Sequence, residues 1–201
     1  MRNRATVLRE YLKTFELPEE YVEYITNKDN NPSNLLPYHN ANHCFTVAVN
    51  TIDAAQYYRL TDIDQLELII ASIFHDWGHS GTSNEAYNIQ QAVNGYTDSV
   101  GVYKATSLNH LNIIRLIRAT EYPHLPVVTL AEQIIQDADL LQYAHTDYKK
   151  WVEAHNEETG LNKTLSETAV WLQTQRMNTD WGRNKQDKTI QKLLRANNTL
   201  S

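Results

Sequence analysis

The chain has 201 residues, 41% of them apolar and 21% charged, with a formal net charge of −6. Those proportions are ordinary for a globular protein with a substantial core, and the negative sign argues against general nucleic-acid binding. The single cysteine, Cys44, excludes an intrachain disulfide and a cysteine-based zinc cluster, so any metal must be held by His, Asp or Glu.

No segment approaches the length of a membrane span, and Met1-Arg2-Asn3-Arg4-Ala5 is not followed by an apolar signal core. An intracellular, cytoplasmic protein is expected. The pattern is helical almost throughout, with no period-2 runs flanked by turn dipeptides. Helices are predicted over 4–15 and 18–27, followed by a polar, Pro-containing loop at 27–36. A long helix follows over about 38–59, with Val47, Val49, Ile52 and Ala55 as core candidates. The next runs over about 62–75, where Ile63, Leu66, Ile69, Ile70 and Ile73 recur at helical spacing, and Gly78 and Gly81 break it.

Three capping-box patterns mark further helix starts: Thr82-Ser83-Asn84-Glu85, Thr129-Leu130-Ala131-Glu132 and Thr164-Leu165-Ser166-Glu167. The 86–105 region is weakly patterned and fits either helix or loop. A helix near 107–119 carries Leu108, Leu111, Ile114, Leu116 and Ile117, and Pro123 and Pro126 end it. The helix from Leu130 carries Ile134, Ile135, Leu140 and Leu141. The region 171–194 is helical around a break at Gly182. No repeat or linker divides the chain, so one all-α domain over 1–201 is expected.

Four pieces carry the chemistry. His39 and His43 are spaced i, i+4 and would share a face on a helix. His75-Asp76 closes the apolar helix, with His79 just beyond. Asp137-Ala138-Asp139 sits inside another apolar helix. Taken singly, each has an ordinary structural explanation. A buried His beside a buried Asp is nonetheless costly without a partner, and a divalent cation satisfies both. The order His, His-Asp, Asp across separate helices therefore points to a metal site, with either Asp137 or Asp139 as its last carboxylate. His110, His124, His145 and His155 read as structural or surface residues.

These motifs resemble those of HD-domain metal-dependent phosphohydrolases, and most closely the catalytic core of cyclic-nucleotide phosphodiesterases. Tyr38-His39-Asn40-Ala41-Asn42-His43 matches the Tyr-His-Asn-x-x-His pattern of the latter. The run from His75 to Asn84 nearly matches His-Asp-x-x-His-x-Gly-x-x-Asn. Ala119-Thr120-Glu121 echoes Ala-Thr-Asp, and Ala138-Asp139-Leu140 echoes Ala-Asp-Leu. The likeness covers roughly residues 36–143.

The resemblance implies a compact helical bundle with a metal site between helices. It implies a first metal on His43, His75, Asp76 and Asp139 (Asp137 being the alternative), with Asp76 bridging to a second. His39 would be the general acid, His79 would line the second site and orient water, and Asn84 would support from behind. Mn, Fe, Co, Ni or Zn would suit the first site, and Mg or Mn the second. Two cations can clamp a phosphoryl group and acidify a bridging water, whose hydroxide attacks phosphorus while His39 protonates the leaving oxygen. The expected substrate is the phosphoester of a small nucleotide, with a phosphodiester favoured. A nucleotidase, an alarmone hydrolase and a nucleotide-binding regulatory protein are the rivals.

The chain departs from the phosphodiesterase pattern in lacking a match to the late glutamine and aromatic clamp that hold the purine. Gln173 and Gln175 near Trp171 do not reproduce it. Trp77 is placed either to stack on a base or to pack under the site. Arg115, Arg118 and the basic tail read as solvated helix faces.

Overall fold

A computed structural model describes residues 3–103, 108–145 and 147–198. Among these, every regular element is helical and there is no strand. The centre is the pair α3 (Ala41–Tyr58) and α4 (Asp62–Phe74), joined by a short turn at 59–61. From Leu66 to Phe74 every residue of α4 is buried. A helix that is buried all round belongs in the middle of a bundle. Ile63, in its first turn, is 48% exposed and lies outside the core.

Around this pair pack α1 (Arg4–Leu12), α6 (His110–Arg118) and α7 (Leu130–Leu140). The weakly patterned region is α5 (Glu85–Tyr103). It buries Asn88, Ile89, Ala92, Val93, Tyr96 and Ser99, which do follow helical spacing. Asn, Ala and Ser at half of those positions dilute the apolar signal. On its far side, α2 (Glu19–Thr26) closes the bundle.

A smaller cluster of Tyr38, Tyr143, Trp151, Val152, Ala169 and Leu193 joins the last three helices. They are α8 (Tyr148–Thr159), α9 (Leu165–Thr174) and α10 (Asp180–Asn198). Helix α8 buries only Trp151 and Val152, and its polar sequence offers no period to read.

Among the expected boundaries that move, two have consequences for the residues around the site. The long helix starts at Ala41, because Asn40 turns its side chain onto the amides of Asn42 and His43 and caps it. His39 is therefore outside the helix, and the His39/His43 face-sharing expected from an i, i+4 spacing does not apply. The break in the last region lies at 175–179, between α9 and α10. Gly182 sits in the first turn of α10, where a Cβ would come within 2.2 Å of Asp137 Oδ2. No helix among the described residues is long and apolar enough to cross a membrane.

Candidate active site

Three helix ends meet at one point. His43 lies in the first turn of α3, His75 is the C-cap of α4, and Asp139 is in the last turn of α7. His75 and Asp76 enter a tight turn that Gly78 and Gly81 continue, both at φ +74°. The polar 27–36 loop pins that turn: Asn31 Oδ1 accepts from the Gly78 amide at 3.2 Å, and Ser33 Oγ donates to the Asp76 carbonyl.

His43, His75 and Asp76 each bring a ligand atom within 4.8 Å of the others. Asp139 Oδ1 is 3.1 Å from His43 Nε2 and 3.4 Å from His75 Nε2. Asp137 points elsewhere. It accepts from the Asn178 and Thr179 amides and from Thr179 Oγ1 at 2.6–2.8 Å, and so anchors the start of α10. Of the two aspartates left open by the sequence, Asp139 is the one brought to the histidines.

Both histidines are oriented from behind. His43 Nδ1 donates to Gln142 Oε1 at 2.6 Å and His75 Nδ1 to the Ser72 carbonyl at 2.8 Å. Both Nε2 atoms therefore face inward, 3.1 Å apart, with Asp76 Oδ2 at 3.1 and 3.2 Å from them. Four electron-pair donors converge on one point, an arrangement that needs a positive charge in its middle. Without a cation, protons must serve. Burial pulls the His43 imidazole down, but Asp139 and Asp76 outweigh it and raise the ring to about 9. The donor set thus fits a divalent cation in place of those protons.

His39 faces the same space from the segment before α3. Its Nδ1 pairs with Glu158 Oε1, while Glu158 Oε2 accepts from the Tyr38 and His39 amides at 2.7 and 3.1 Å. Burial would raise the Glu158 carboxyl, but these donors hold it at about 2. His79 stacks on His39 with ring centroids 3.9 Å apart. Burial keeps His79 neutral, lowering it to about 4. His39, His79 and Glu158 also bring one ligand atom each within 4.8 Å of the others.

Asn84 does not stand behind the site. Its side chain accepts from the Tyr87 amide at the start of α5, displacing the cap expected at Thr82. The nearby amide group is Asn88, buried in α5, with Nδ2 2.9 Å from His79 Nε2 and Oδ1 accepting from Ser80. Neither Glu158 nor Asn88 stood out in the sequence. Trp77 is buried against Phe74 and Tyr24, not open to a base.

The cluster opens into a cavity of about 440 Å³. Its acidic and imidazole lining is Asp76, Glu85, Asp139 and Glu158 with His39, His79 and His155, and among the described residues no Lys or Arg lines it. Leu140 and Trp171 add apolar surface to the lining. Gln173 and Gln175 do not line it, and Arg115 is tied to Glu132 at 2.6 Å.

Residues 38–194 match the family model described as 3'5'-cyclic nucleotide phosphodiesterase. The chain belongs to that phosphodiesterase family. No curated protein matches it. The match runs beyond the motif core at 36–143 to take in α8, α9 and most of α10, so Glu158 and Trp171 lie within it. As a family member the protein is a metal-dependent phosphoric ester hydrolase, and the His/Asp cluster between its helices can hold a divalent metal.

Proposed function

We propose that this phosphodiesterase-family protein hydrolyses the phosphodiester of a small cyclic nucleotide to the monophosphate, using two divalent cations. The observation that carries this reading is the lining of the cavity: four carboxylates, three histidines and, among the described residues, no Lys or Arg. No Lys or Arg among the described residues stands there to meet an anionic phosphate, which favours bound metal as its main counter-charge.

His43, His75, Asp76 and Asp139 would hold the first cation, of the Mn, Fe, Co, Ni or Zn type. Asp76 and His79 would face a second, Mg or Mn. Bound cations supply charge neutralisation at the phosphoryl oxygens and a lowered pKa for water. The protein's own residues do the rest. Glu158 fixes His39 through Nδ1, which leaves Nε2–H free to protonate the departing ribose oxygen. His79, neutral and stacked on His39, adds no competing charge beside an imidazolium. Leu140 and Trp171 flank the base. In this reading residues 1–201 act as one catalytic domain.

The test is a product-resolved panel of cyclic, mono-, di- and triphosphate nucleotides with Mn²⁺, run beside Asp76→Ala. Cleavage of a 3',5'-cyclic nucleotide to a monophosphate by the wild type alone is expected. Release of nucleoside from monophosphates, with cyclic substrates untouched, would replace the diesterase reading with a nucleotidase.

A further inference from the structure

Beside Asp139, and outside the lining of the cavity, lies His124. Its side chain is 12% exposed, and its Nε2 is buried without a hydrogen-bond partner. That atom sits 3.7 Å from Asp139 Oδ2, the oxygen turned away from His43 and His75. Asp139 lines the cavity and His124 does not. A buried imidazole nitrogen without a partner is unusual, and the nearest charged acceptor is this carboxylate.

The segment that carries His124 is built onto the same helix as Asp139. Gln136, one turn earlier on α7, donates from Nε2 to the carbonyls of Ala119 and Leu125 at 2.8 and 3.0 Å. Those carbonyls bracket His124. Gln136 Oε1 in turn accepts from Asn178 Nδ2 at 3.0 Å, and the edge of Tyr122 packs on the His124 ring with centroids 5.6 Å apart. The histidine is thus held in register with Asp139 from both ends of its loop.

We propose that His124 is a positioning residue for Asp139. Its Nε2–H takes the outer carboxylate oxygen and keeps Oδ1 aimed at the cation. A small rotation of either side chain closes 3.7 Å to a hydrogen bond. A carboxylate ligand held this way stays in one orientation, whereas a free one can swing or chelate through both oxygens. The inference rests on the metal-centre reading above.

Mn²⁺ binding to the full chain, measured by equilibrium dialysis, tests it. His124→Phe removes the donor, His124→Asn shortens it beyond reach, and His124→Gln keeps an amide N–H near the position of Nε2. Phe and Asn variants should bind Mn²⁺ about tenfold more weakly. His124→Gln should stay within about threefold of wild type, and kcat at saturating Mn²⁺ should recover in all three. Should His124→Phe fail to fold by circular dichroism, the Asn and Gln pair carries the comparison. Wild-type affinity in both donor-less variants, or equal losses in Gln and Asn, would overturn the proposal. Asp76→Ala separates the two levels: if it loses Mn²⁺ while the His124 variants keep it, only the role of His124 falls. If Asp76→Ala itself binds like wild type, the metal centre falls.

Discussion

Glu158 accepts three hydrogen bonds, from the His39 ring and from two backbone amides at 38 and 39. It therefore sets both the orientation of the imidazole and the charge it faces. Glu158→Gln should lower kcat on a cyclic nucleotide by about 10²-fold, because the general acid loses its anionic partner. An activated phosphodiester with a nitrophenolate leaving group needs no proton and should lose much less; equal losses on both would remove His39 from that role. Glu158 stands 119 residues from His39, so no local pattern could have paired them. The same limit applied to Asp137 and Asp139. Both lie in an apolar helix two residues apart, and only the packing of the segment leading into α10 assigns Asp137 to the Asn178 and Thr179 amides and leaves Asp139 to the cluster. Asn88 was hidden for a different reason, since a lone asparagine in a weakly amphipathic helix has no signature until its partners are known.

At the scale of elements, helix starts were legible where a cap and its glutamate are adjacent in sequence. Thr129–Glu132 and Thr164–Glu167 both form reciprocal capping boxes. Thr164→Ala should cost about 1 kcal/mol in a denaturant titration. The Thr82 pattern failed because Asn84, two residues on, competes for the same role and wins at the amide of Tyr87. Gly182 was read as a helix breaker from its type alone. Its role is close approach: the backbone of α10 runs against a carboxylate already held by three donors. Gly182→Ala should destabilise the protein by about 2 kcal/mol, since Asp137 cannot yield without giving up its hydrogen bonds. A thermal midpoint equal to wild type would show that the contact relaxes at no cost.

For the whole molecule, folding and metal binding are linked through the buried histidines. In the metal-free protein the His43 ring is raised from 6.5 to about 9, so its contribution to stability is present below pH 6.5 and is lost as pH rises through 9. A cation needs the neutral ring and competes with that proton. The rise in thermal midpoint produced by saturating Mn²⁺ should therefore grow between pH 6.5 and 9; a gain that shrinks with pH would contradict a His-ligated centre. The sequence by itself determined the helical class, the central apolar pair and the motifs that supply the candidate metal cluster, because hydrophobic period, caps and the His-Asp motif are local properties of the chain. It left α5 undecided and α8 unseen, because their burial depends on neighbours far away in sequence. The tertiary structure alone decided which aspartate meets the histidines, which glutamate holds His39, and that no Lys or Arg among the described residues lines their cavity. Those outcomes depend on where helix ends converge, and convergence is set by packing between distant segments, which no window of sequence contains.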